Sequence, residues 1–102
     1  MQIIEERKDH SVILCISGRL DLAASQTLEE EISKWIALPM VWNLILDLSK
    51  IEYISSAGIR VLLSAKKKMK SNRDLIILNP SLFCRQVFEV TGADIFLTIV
   101  YK

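Results

Sequence analysis

Three dense apolar runs, Val12–Ile16, Leu44–Leu48 and Leu75–Leu78, recur along the chain, and stretches of helical periodicity separate them. Each run has the length and the Val, Ile and Leu content of a strand and is too short for a buried helix. A helix placed between two such strands makes a crossover, and crossovers bring strands side by side in parallel with a right-handed sense. This pattern restricts the chain to a layered α/β domain. The chain has 102 residues and 51% of them are hydrophobic, enough for one core and too few for two. A single domain over residues 1–102 is expected.

The remaining segments fit between these strands. Gln2–Arg7 reads as a strand and Ser11–Ser17 as its neighbour, with Lys8–His10 as a short polar turn, so an antiparallel hairpin is predicted. Gly18 is read as the end of that strand. A helix follows over about Ala23–Ala37, with Leu28, Ile32 and Trp35 or Ile36 on its inner face and Pro39 as its stop. Apart from Asn43 and Asp47, Trp42–Leu48 is apolar, so it is expected in the sheet centre, covered on both faces. Trp35 and Trp42 are expected to anchor the core around the first helix and third strand, with one of them at an interface as the other reading. Ser49–Ile54 reads as a loop and Ser56–Lys70 as a helix burying Ile59, Leu62, Leu63 and Met69. Arg73–Leu78 is a strand. Asn79 and Pro80 suit the cap and first turn of a helix that reaches Thr91, with Phe83, Val87 and Val90 inward and Gly92 as its stop. Ile95–Val100 is a last short strand. The order is β-β-α-β-α-β-α-β, and the hairpin makes the sheet mixed.

Several function classes lack their chemistry here. The net charge is +1, which gives no reason to expect a nucleic-acid partner. No apolar run approaches the roughly 20 residues that span a bilayer, so membrane insertion is not expected. Met1–Lys8 alternates apolar and charged residues, unlike an export leader, and a cytoplasmic protein is expected. Cys15 and Cys84 stand apart from each other and from His10, without metal-ligand spacing. They read as buried structural thiols, and neither a metal nor a cofactor is expected. No nucleophile elbow surrounds Ser56, because Ile54 occupies the place of the first glycine. The glycines are isolated, so no phosphate-cradling loop is present. Lys66, Lys67, Lys68, Lys70 and Arg73 form a basic cluster. It reads as a solvated face suited to a helix C-terminus, with contact to an acidic partner or a nucleotide phosphate as the other reading. Glu29, Glu30 and Glu31 are read as suiting the N-terminus of the first helix.

The stretch from Asp47 to Leu63, DLSKIEYISSAGIRVLL, is the most informative. Ser55 is a good N-cap and Ser56 falls in the first turn of the following helix. Plain capping is the simplest reading. A phosphate at that place is also compatible with the helix, whose N-terminus exposes unpaired N–H groups and partial positive charge. Such a group adds close to two negative charges to a surface without breaking the fold beneath it. Arg60 stands four residues after Ser56, on the same helix face, placed to meet a phosphate or an acidic group on a partner.

Asp47-Leu48-Ser49, Tyr53-Ile54, Ser55-Ser56-Ala57-Gly58, Ile59 and Val61-Leu62-Leu63 together resemble the signature of STAS domains, in particular bacterial anti-sigma factor antagonists. Gly18-Arg19-Leu20-Asp21 is similar to that family's G-x-L-D segment, and Pro80–Gly92 resembles its C-terminal helix and glycine stop. The likeness implies a single-domain mixed sheet with helices mainly on one face. It implies a protein that is no enzyme and whose partners are an anti-sigma factor serine kinase and a serine phosphatase; a monomer is the default expectation. In that scheme the unphosphorylated protein binds the kinase and releases the sigma factor, and phosphorylation of Ser56 weakens the binding. Ser55 is the alternative acceptor, because it stands where the family often has Asp. The implied docking surface comprises Asp21, Ser55, Ser56, Ala57, Gly58 and Arg60. A second implied role is a STAS subunit that regulates a transporter or sensory complex without being phosphorylated.

Overall fold

The computed structural model describes residues 1–69 and 72–102. Its elements are β1 (Gln2–Lys8), β2 (Ser11–Leu20), α1 (Leu22–Ile36), β3 (Asn43–Ile54), α2 (Ser56–Lys68), β4 (Asp74–Leu78), α3 (Leu82–Thr91), a 3₁₀ turn (Ala93–Ile95) and β5 (Thr98–Val100). The expected order is therefore present. The strands form one sheet in the order β1-β2-β3-β4-β5, with β1 antiparallel to β2 and all other pairs parallel. Each crossover steps one strand in the same direction. Right-handed connections then put α1, α2 and α3 on the same face of the sheet.

Burial follows from that layering. In β3, Leu44, Leu46 and Leu48 are fully buried under the helices, while the alternate residues Asn43, Ile45 and Asp47 are only half-buried. Val12, Leu14 and Ile16 of β2 and Leu75 and Ile77 of β4 complete the strand side of the core. The expectation that the central strand is covered on both faces is corrected. Its far face carries the cross-strand row Ile13, Ile45 and Ile76, which is screened by its own neighbours in the sheet and by no second layer. Cys15 lies on this half-open face and only Cys84 is fully buried. Burial, and for Cys15 also the nearby Asp47 carboxylate, pushes both thiols above their ordinary value, which favours the protonated form.

Ser49–Ile54 is no loop. β3 runs on through it and pairs with β2 up to Leu20–Ile54. Opposite β2, β3 carries an extra residue at two places, between the partners of Cys15 and Ser17 and between those of Gly18 and Arg19. These bulges break the alternation that a strand reading needs. Gly18 does not end β2 either; it takes φ 100° inside it, a conformation that suits glycine, and the strand continues to Leu20.

The C-terminal third shifts by a residue or two. Ser81, not Asn79, caps α3: its hydroxyl accepts from the Cys84 N–H at 3.2 Å. Asn79 has φ 48° and its side chain accepts from the Lys102 N–H at 2.8 Å, so Asn79 and Pro80 both precede the helix. The inner face of α3 is Cys84 and Phe88, with Val87 half-buried beside them; Phe83 is 39% and Val90 88% exposed. Gly92 stops α3 as expected, in the left-handed region at φ 77°. β5 is shorter than expected because Ala93–Ile95 closes into the 3₁₀ turn. Trp35 is buried in the core, but Trp42 is 51% exposed and stacks on His10 at a ring separation of 3.6 Å.

The observed register of α3 sets a sharp expectation for unfolding experiments. Phe88→Ala removes a fully buried ring and should cost about 3–5 kcal/mol, whereas Val90→Ala should stay within about 0.5 kcal/mol of the wild type. Equal losses in urea titrations would show that the helix face is wrongly placed.

Candidate functional site

Leu20 and Ile54 lie side by side at the ends of β2 and β3, and a single residue then joins each strand to its helix. That residue is Asp21 before α1 and Ser55 before α2. The two helix N-termini therefore start together on one edge of the domain, with their unpaired N–H groups facing outward. Asp21 is exposed, and its Oδ1 accepts from the Ala24 N–H at 2.9 Å, so the acid caps α1. Ser25 is buried one turn on and its hydroxyl donates to the Asp21 carbonyl at 2.6 Å.

The neighbouring serines have different environments. Ser55 is half-buried. Its N–H donates to the Leu20 carbonyl at 3.0 Å, its hydroxyl donates to the same carbonyl at 2.9 Å and accepts from the Gly58 N–H at 3.2 Å. Ser56 is the first residue of α2 and is exposed, and its hydroxyl has no hydrogen bond among the described residues. To react, the Ser55 hydroxyl must give up its hydrogen bond to the Leu20 carbonyl, while the Ser56 hydroxyl gives up only water.

Gly58 is buried, so it lies under this surface and adds no contact area to it. A Cβ there would meet Ile54 Cγ1 at 2.8 Å and Leu20 Cδ2 at 2.9 Å. The missing side chain lets the first turn of α2 rest directly on the two strand ends. Ala57 is half-buried and Arg60 is exposed, with no ion pair among the described residues. Both line a groove of about 300 Å³ between α1 and α2, together with Leu22, Gln26 and Glu29 from α1 and Ser64 from α2. Leu22 is 62% exposed at the start of α1 and has no counterpart among the sequence-based candidates. An apolar residue in the first helical turn, off the core stripe, was the available signal.

Other sequence candidates fall elsewhere. His10 binds the backbone at the start of β3, and Ser56 follows the far end of that 12-residue strand, so the two are not neighbours. Lys66 is held by Asp74 and Thr98, and Arg73 donates to the carbonyls of Ile36, Leu38 and Val41. These two cations staple the far end of the domain, leaving Lys67 and Lys68 exposed, and Lys70 lies outside the described residues. Glu29, Glu30 and Glu31 do not flank a helix start. α1 begins at Leu22, two turns earlier, and its first turn has no acid; Glu31 instead pairs with Lys34 at 3.2 Å. Among the described residues no group of three or more His, Cys, Asp or Glu side chains is placed to hold a metal. No described helix is long and apolar enough to cross a membrane.

The STAS domain profile matches residues 2–101. This chain belongs to the STAS-domain family. BtrV of Bordetella bronchiseptica, which carries the name of an anti-sigma factor antagonist, is 31% identical over 93 residues, covering 90% of this STAS domain and 79% of BtrV. The anti-sigma-F factor antagonist RsfB of Mycobacterium tuberculosis is 27% identical over 88 residues, covering 84% of this chain and 71% of RsfB. Among solved structures, the anti-sigma factor antagonist SpoIIAA in its unphosphorylated form superimposes with a TM-score of 0.82 at 23% identity, over 97% of this STAS domain and 88% of SpoIIAA. Its fold matches the mixed sheet and helix order described above.

The contrast between the serines sets the expected stabilities. Ser55→Ala should cost this STAS domain about 1 kcal/mol, the usual loss for an N-cap, and Ser56→Ala less than about 0.5 kcal/mol. Gly58→Ala should cost about 1–3 kcal/mol through overpacking on Leu20 and Ile54. Urea midpoints of the three variants check the order.

Proposed function

We propose that this STAS domain is an anti-sigma factor antagonist in a partner-switching pathway. It acts as a single unit over residues 1–102, as a monomer in the cytoplasm, and as a regulator rather than an enzyme. Unphosphorylated, it binds an anti-sigma factor that is also a serine kinase, and the sigma factor is released. The kinase phosphorylates Ser56, binding weakens, and a serine phosphatase restores the first form.

The observation that carries this reading is the exposed, unbonded hydroxyl of Ser56 at the first position of α2, beside a half-buried Ser55 hydroxyl that both donates and accepts a hydrogen bond. The names of BtrV and RsfB point the same way, and SpoIIAA is known in unphosphorylated and phosphorylated forms. The physical logic has two sides. A phosphate at the start of α2 gains from the helix dipole, by roughly 0.3–1 kcal/mol for an exposed anion, so the domain stays folded. The same dianion in a desolvated interface meets a partner shaped for a neutral hydroxyl, which costs several times more. Asp21, Ala57 and Arg60 surround Ser56 as the docking surface, and Ser55 and Gly58 hold it in place from below.

Incubation with ATP and the candidate kinase, followed by intact-mass measurement, tests the acceptor. A gain of about 80 Da is expected for wild type and Ser55→Ala and is absent for Ser56→Ala. Loss of the gain only in Ser55→Ala would reassign the site. Ser56→Asp should keep the circular dichroism spectrum and weaken kinase binding at least about tenfold, as an anion placed in a contact surface does.

A further inference from the structure

The edge that carries Ser56 has a second side. Pairing between β3 and β4 ends at Asp47 and Leu78, while pairing between β2 and β3 continues to Leu20 and Ile54. The ends of β2 and β3 therefore project beyond the rest of the sheet as a two-stranded ribbon. Leu20 and Ile54 point from it toward Gly58 of α2, and strand alternation turns Arg19 and Tyr53 the other way.

There, side chains from β2, β3 and α3 stack into a ladder. The Arg19 guanidinium lies 4.4 Å from the Tyr53 ring centre, and the Tyr53 ring stands 5.6 Å from that of Phe83, tilted by 47°. Phe83 is in the first turn of α3, next to Leu82, which is 60% exposed. Arg19 is exposed and has no ion pair among the described residues. The core does not need this group: α3 packs through Cys84 and Phe88. Arg and Tyr are residue types that dominate binding energy at protein interfaces, and Phe is enriched there; the exposed Leu82 adds apolar area beside them. Stacking has already fixed their rotamers, so little side-chain entropy remains to be lost on docking. The unpaired guanidinium at the end of the ladder selects a carboxylate.

Tyr53 precedes Ser56 by three residues, so their Cα atoms lie within about 11 Å of each other. A standard interface covers roughly 800 Å² on each partner, a disc of about 16 Å radius, wide enough for a partner that wraps the edge to reach both features.

We propose that the Arg19–Tyr53–Phe83 ladder, with Leu82, is the second half of the surface that holds the kinase, and this rests on the function proposed above. The partner presents a carboxylate to Arg19 and an apolar side chain to Tyr53, Phe83 and Leu82. The ladder faces away from α2, so its contribution is the same whether or not Ser56 carries a phosphate. It sets the strength of the complex, and Ser56 sets the switch.

Calorimetric titration of the candidate kinase tests this with wild type, Arg19→Ala, Phe83→Ala and, at the far end of the domain, Phe96→Ala, which also trims an exposed ring. Arg19→Ala and Phe83→Ala should each weaken binding about tenfold or more, as loss of an interface anchor does. Phe96→Ala should bind like the wild type. Arg19→Ala should lose the same factor when combined with Ser56→Asp, because contributions from opposite sides of the edge add. Arg19 is exposed, so its variant remains informative if Phe83→Ala proves unfolded by circular dichroism. Wild-type affinity in both ladder variants, with weak binding by Ser56→Asp, overturns the ladder and leaves the proposed function standing. A kinase that does not bind the wild type removes both.

Discussion

The carbonyl of Leu20 joins the halves of the site. It accepts the backbone N–H of Ser55 at 3.0 Å and the Ser55 hydroxyl at 2.9 Å, across 35 residues of sequence. Each bond is worth only about 1 kcal/mol net, but together they fix where α2 starts relative to the end of β2. Gly58 makes this geometry accessible, since any side chain there would hold α2 off the strand ends. With the contact made, α1 and α2 begin side by side. Asp21, the groove and Ser56 then share one edge of the molecule.

That arrangement divides work between adjacent residues of the same chemical type. Ser55 spends its hydroxyl on structure, as donor to one strand and acceptor from its own helix. Ser56, one residue on, spends nothing on the fold. The proposed phospho-switch needs this separation. If the modified group also capped the helix, modification and unfolding would be coupled, and the surface could not be altered independently of the core beneath it.

The extra length of β3 has a similar consequence on the other side of the edge. Two bulges let β3 continue past its partner β4 while it stays paired with β2. The projecting ribbon packs Leu20 and Ile54 under α2 and leaves Tyr53 beside the first turn of α3, so its apolar residues have different fates. Leu20 and Ile54 are buried, and Tyr53 is left to pack with Arg19 and Phe83 near solvent.

Much of the fold was legible in sequence because it depends on local patterns. The element order, the inner faces of α1 and α2, the Gly92 stop and the position of Ser56 at a helix start follow from 3.6-residue periodicity and capping chemistry. Tertiary structure decided what depends on distant partners. Ser49–Ile54 is a strand only because β2 pairs with it, and its bulges hide the alternation. α3 starts after Ser81 and turns Cys84 and Phe88 toward the sheet, although Phe83 and Val90 look equally suitable in a periodic pattern. An apolar run such as Leu44–Leu48 reports residues fit for both faces of a strand, but not whether a layer of helices covers each face. The sequence alone thus determined that two serines stand where a helix begins. Which of them keeps an unbonded hydroxyl depended on a carbonyl 35 residues away, and local chemistry carries no record of that neighbour.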